Sequence, residues 1–135
     1  MLASYWVASA TAANLVKCQL EMGSKNALIV LDDADIDLAV EAAFAGAYSG
    51  SGQKCTASSR LIVMDAVHDE FVEKLSAKLS SATVGPALSE QTVIGPIASK
   101  PQLDANQRWV GVALEEGATM AFGGDEINAG RDGHY

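Results

Sequence analysis

Short apolar runs alternate with longer periodic stretches along this chain, and their spacing predicts its elements. Ala27-Leu28-Ile29-Val30-Leu31 and Leu61-Ile62-Val63-Met64 are compact apolar runs with β-branched residues at their centres, the pattern of buried strands. Between them Asp35 can cap a helix running to about Tyr48. Leu38, Val40, Ala42, Ala43 and Phe44 give that helix an apolar surface wide enough to predict that it is largely buried. After the second run Asp65 is a candidate cap, and Val67, Phe71, Leu75 and Leu79 recur every four residues along one face as far as Ser81. This second helix is amphipathic and is expected to pack on a sheet.

Pro86, Pro96 and Pro101, with Gly85 and Gly95, break any period between Val84 and Pro101, which predicts an irregular connection. Gln102 to Glu116 resumes a helical pattern through Leu103, Val110, Ala113 and Leu114 and stops at Gly117. Ala118-Thr119-Met120-Ala121-Phe122 reads as a last short strand ended by Gly123-Gly124. Residues 1–17 are Ala-rich with few breakers and are expected to be helical. Strands alternating with helices in this order predict an α/β architecture, a sheet layered with helices.

Composition narrows the class of partner. With 17 acidic against 9 basic residues the net charge is -8, which opposes electrostatic capture of nucleic acid or an anionic membrane. The apolar start, Met1 to Ala8, is too short to span a bilayer and no Lys or Arg precedes it, so a cytoplasmic location is expected. The two cysteines, Cys18 and Cys55, are too few for a disulfide scaffold and lack the paired spacing of a zinc site. Cys18 lies in an apolar stretch and is expected to be a small buried filler. Asp32, Asp33, Asp35 and Asp37 lack the Gly and distal Glu of a calcium loop and read as the solvated start of a helix, so no metal is expected.

Candidate chemistry sits elsewhere. Cys55 lies in Ser51-Gly52-Gln53-Lys54-Cys55-Thr56, a Gly-rich segment carrying a Lys just before an apolar strand. Glu21 lies upstream in Gln19-Leu20-Glu21-Met22-Gly23-Ser24-Lys25. A thiol and a separate carboxylate supply a nucleophile and a general base. Taken singly, an inert buried thiol is the commoner reading of Cys55 and a solvated surface charge that of Glu21. Ser49-Gly50-Ser51-Gly52 is superficially like a phosphate-cradling loop, but a strand follows it and not a helix, so it reads as the loop that presents Cys55.

The order of these segments resembles the aldehyde dehydrogenase family from about Ala12 to Tyr135. Glu21-Met22-Gly23-Ser24-Lys25 is similar to that family's Glu-Leu-Gly-Gly-Lys signature, with Ser24 standing where the second Gly is usual. Gly52-Gln53-Lys54-Cys55-Thr56 is similar to its Gly-Gln-x-Cys signature. Val30 to Asp35, Thr92 to Pro96 and Asp132 to Tyr135 fall in register with similar runs. Within the family, Gln19 to Gly23 and Cys55 to Arg60 look most like the 2,5-dioxovalerate (α-ketoglutaric semialdehyde) dehydrogenases.

The resemblance implies a partial aldehyde dehydrogenase-like catalytic domain over residues 21–135, preceded by the end of a cofactor-binding region over residues 1–20. It implies NAD or NADP as cofactor, a small-molecule aldehyde as substrate, and a homo-oligomer when the enzyme is full length. Cys55 would be the nucleophile, forming a thiohemiacetal and then a thioester. Glu21 would be the general base, and the backbone of Met22 and Gly23 would lie near the nicotinamide. The family's second oxyanion donor, an Asn upstream of the general base, has no counterpart here. A truncated non-catalytic fragment and a thiol-dependent esterase without hydride transfer are the alternatives.

Overall fold

The computed structural model describes residues 2–20, 23, 25–127 and 133–135. Helix α1 spans Leu2–Ala13, β1 Asn26–Val30, α2 Ile36–Tyr48, β2 Ser58–Val63, α3 Asp65–Ser81 and α4 Lys100–Glu115. A short 3₁₀ turn, Ser49–Gly52, follows α2.

β1 and β2 pair in parallel, so a crossover must join them, and α2 is that crossover. Its start is fixed as the sequence predicts: the Asp35 carboxylate accepts the Leu38 N–H at 3.1 Å. Leu28 pairs with Leu61, Ile29 with Ile62 and Val30 with Val63. The register slips between Asn26, opposite Ser58, and Ala27, opposite Arg60, leaving Ser59 as a one-residue bulge.

The core lies where α2 and α3 cover one face of this pair. Val30, Val40, Ala43, Phe71 and Leu75 are buried there, with Leu28, Phe44, Tyr48, Leu61, Val63, Val67 and Leu79 packed around them. The period-two alternation of the strands decides which residues enter it. Leu28, Val30, Leu61 and Val63 face the helices, whereas Ile29 is 64% and Ile62 51% exposed. The strands are therefore half-buried, correcting the expectation of full burial, because helices cover only one face. α2 follows suit: Val40 and Ala43 are buried and Leu38 is exposed.

Other expectations also change. Asp65 is the first residue of α3 and Met64 holds the cap position, with no side-chain cap bond. Cys18 is exposed, and the Thr11 hydroxyl donates to its sulfur at 3.2 Å. The N-terminal helix ends at Ala13, where Leu15 takes a left-handed φ of 53°. No strand forms at Ala118–Phe122, because a strand exists by pairing and this segment finds no ladder among the described residues. It is bounded instead by left-handed glycines, Gly117 at φ 96°, Gly123 at 72° and Gly124 at 99°. Its Ala121 and Phe122 side chains line a cavity of about 220 Å³ with Tyr48, Leu61, Val63 and Phe71. Burial there raises the Tyr48 phenol above its ordinary value.

Surface charges clip the two core helices together. Lys74 of α3 bonds Asp37 of α2 at 2.7 Å and Glu70 at 2.8 Å, and Lys78 bonds Glu41 while lying 4.9 Å from the Phe44 ring centroid. The hydrogen bond to Asp37, then that to Glu70, raises the Lys74 ammonium well above the ordinary lysine value. A raised cation stabilises the fold fully below the unfolded-chain lysine value and loses that contribution as pH climbs through the raised one.

Two outcomes follow for this core. Phe71→Ala removes the largest fully buried side chain and should cost about 3–5 kcal/mol in urea denaturation. Lys74→Met should lower the thermal midpoint by a constant amount from neutral to mildly alkaline pH, the difference shrinking only above the ordinary lysine range; a difference that closes near neutrality would show that the clip does not act through this cation.

Candidate active site

Cys55 is exposed on the turn between the 3₁₀ segment and β2. Three consecutive left-handed residues build the approach: Gly50 at φ 61°, Ser51 at 57° and Gly52 at 68°. Glycine is needed at 52 on two counts, since a Cβ there would strain the backbone and would lie 2.8 Å from the Ala47 carbonyl oxygen. Ser51 takes the same conformation without that freedom, at a cost of about 1–2 kcal/mol. The Gln53 N–H donates to the Gly50 carbonyl, and the Ala57 N–H closes the Cys55 turn on the Lys54 carbonyl, each at 3.1 Å.

Side chains then tie this turn to distant backbone. The Asn26 amide, at the head of β1, donates to the Cys55 carbonyl at 2.8 Å and to the Ala57 carbonyl at 3.1 Å. On the other side, the Ser51 hydroxyl donates to the Gly95 carbonyl at 2.6 Å, and the Gln53 side-chain Oε1 accepts the Ala98 N–H at 3.1 Å. Lys54 turns its ammonium to the Ser49 hydroxyl at 2.9 Å.

Of the sequence-predicted residues, Cys55 and Gly23 are described, and Glu21 and Met22 lie outside the described residues. Gly23 is exposed, and a Cβ built on it would meet no atom of the described residues within 4 Å, which leaves room for a flat ring to approach its backbone. That openness fits the nicotinamide end of NAD or NADP. Sequence reasoning missed Asn26, Ser51 and the partner carbonyl of Gly95. Only Asn26 carried a signal, a strand-averse amide at the mouth of an apolar run. Among the described residues no three His, Cys, Asp or Glu side chains gather to hold a metal ion, and no helix is long and apolar enough to cross a membrane.

Fold and turn together define an α/β unit that presents an exposed thiol from a loop on a packed scaffold. The chain belongs to the aldehyde dehydrogenase family, whose sequence model matches residues 3–135. It is 43% identical over 131 residues to the alpha-ketoglutaric semialdehyde dehydrogenase of Bacillus subtilis, covering 96% of this chain and 27% of that protein. It is 41% identical over 118 residues to a mitochondrial aldehyde dehydrogenase of Leishmania tarentolae, covering 87% of this chain and 24% of that one. Its fold superposes on lactaldehyde dehydrogenase from Escherichia coli with a TM-score of 0.89 at 34% identity, across 98% of this chain and 28% of the other. The chain thus spans about a quarter of the length of the relatives it matches.

A test of the turn is Gly52→Ala. It should destabilise the fold by at least about 1–2 kcal/mol from the left-handed backbone alone, read by denaturation. A neutral substitution would mean that the Ala47 carbonyl and the turn relax freely around it.

Proposed function

We propose that the protein containing this chain oxidises an aldehyde to a carboxylate with NAD or NADP, using Cys55 as nucleophile and Glu21 as general base. The observation that carries the reading is the exposed Cys55 thiol on a turn bonded to the head of β1, the strand that directly follows the Glu21 segment. Similarity to the Bacillus subtilis protein supports a semialdehyde bearing a carboxylate as the substrate class. The proposal extends, on the family resemblance alone, to a homo-oligomer located in the cytoplasm.

The chemistry asked of these residues is ordered. The Cys55 sulfur adds to the carbonyl carbon, and the oxygen takes up the electron pair as an oxyanion beside the Cys55 N–H. The backbone of Met22 and Gly23 would hold the nicotinamide end of NAD or NADP, which would supply the hydride acceptor needed to take the Cys55 adduct to a thioester. Glu21 then takes a proton from water as that water attacks the thioester carbon. The C–S bond breaks, the carboxylate departs and Cys55 returns as thiolate.

Cys55→Ala should abolish aldehyde oxidation, followed as formation of reduced nicotinamide. Glu21→Gln should slow it by about 10²–10⁴-fold while leaving Cys55 able to be acylated. Oxidation that survives Cys55→Ala would sink the assignment.

A further inference from the structure

We infer that Asn26 and Ser51, together with Gln53, are positioning residues that fix the backbone on both sides of Cys55. The inference rests on the reading of Cys55 as nucleophile, and the structural half of it can be judged without that reading.

Two i to i+3 backbone closures, at Gln53 and Ala57, hold the turn from within, and the segment before it carries a non-glycine residue, Ser51, at φ 57°. Such a conformation persists where surrounding contacts over-determine it. The contacts here come from afar. Asn26 faces two carbonyl oxygens, those of Cys55 and Ala57, so it must present its NH₂, and both of that group's donors are used. This fixes the peptide plane leaving Cys55.

On the entering side, Ser51 and Gln53 reach Gly95 and Ala98, 44 and 45 positions away in sequence. That anchor is itself secured. The Ile94 N–H donates to Thr83 just past α3, Gly85 donates back to Ile94, each at 3.0 Å, and the Ile97 N–H donates to the His134 carbonyl at 2.7 Å. With backbone held before and after Cys55, its Cα–Cβ direction is set relative to β1, which thiol attack on a bound carbonyl requires.

The test uses the full-length protein that contains this chain, with Cys18→Ala so that Cys55 is the one thiol left in this segment, and two variants, Asn26→Leu and Ser51→Gly. The second removes the hydroxyl while relieving left-handed strain, so a defect cannot be blamed on strain, and it guards against an Asn26 variant that does not fold. Amide hydrogen exchange over residues 50–57 should accelerate about tenfold or more in each variant. Exchange over 94–98 should follow in Ser51→Gly, while α2 and α3 keep their protection. The burst of p-nitrophenolate from p-nitrophenyl acetate should slow about ten- to hundredfold at unchanged amplitude; a merely structural defect lowers the amplitude instead.

Unchanged exchange in both variants overturns the proposal. Faster exchange with an unaltered burst rate also overturns it, since the turn is then braced without consequence for the thiol. A full-length parent that gives no burst defeats the nucleophile reading alone, and exchange then decides whether the brace exists.

Discussion

Two parallel neighbouring strands cannot be joined by a tight turn, and this constraint organises the molecule. The chain leaves β1 at Val30, crosses back over the sheet as α2, and must enter β2 from the same edge at which β1 began. The segment between α2 and β2 is therefore delivered to the head of β1. That is why Cys55 and Asn26 meet at one end of the sheet although a whole helix separates them in sequence. The core residues, Ala43 and Val40 against Val30, Phe71 and Leu75, hold the helix flat enough for the delivery to be repeatable.

Bonding at that edge is of a different kind from the core. The core is apolar and insensitive to small rotations, whereas the turn is placed by directional bonds from Asn26, Ser51 and Gln53. Directional bonds between a side chain and a carbonyl tolerate little displacement before they weaken. The two systems meet at α2's last turn, where the Ala47 carbonyl lies so near Gly52 that no side chain fits.

What the sequence made legible was local. The apolar runs at 27–31 and 61–64, the Asp35 cap and the four-residue spacing of α3 are read from neighbouring residues, and each element stands within a few residues of its expected place. The family resemblance, carried by the segments around Glu21 and Cys55, agrees with the matched model. Burial was over-read because apolar content says how much surface needs covering and nothing about which element covers it; Ile29 and Ile62 show the difference. Ala118–Phe122 failed as a strand because propensity was present and a partner was not. Ser51 carried no signal and Asn26 only that of an amide out of place in a strand, because the partners of both lie dozens of residues away and are backbone carbonyls, which have no sequence identity at all.

The bulge at Ser59 acts as slack between two systems that make opposite demands. Beyond it, Leu61 and Val63 must keep their parity to face the helices; before it, the turn must keep its length to meet Asn26. Without the extra residue, a shift of about 3.3 Å at the turn would invert every side chain of β2. With it, the loop that carries Cys55 and the hydrophobic interior are decoupled, so that a change of length in one need not be passed to the other.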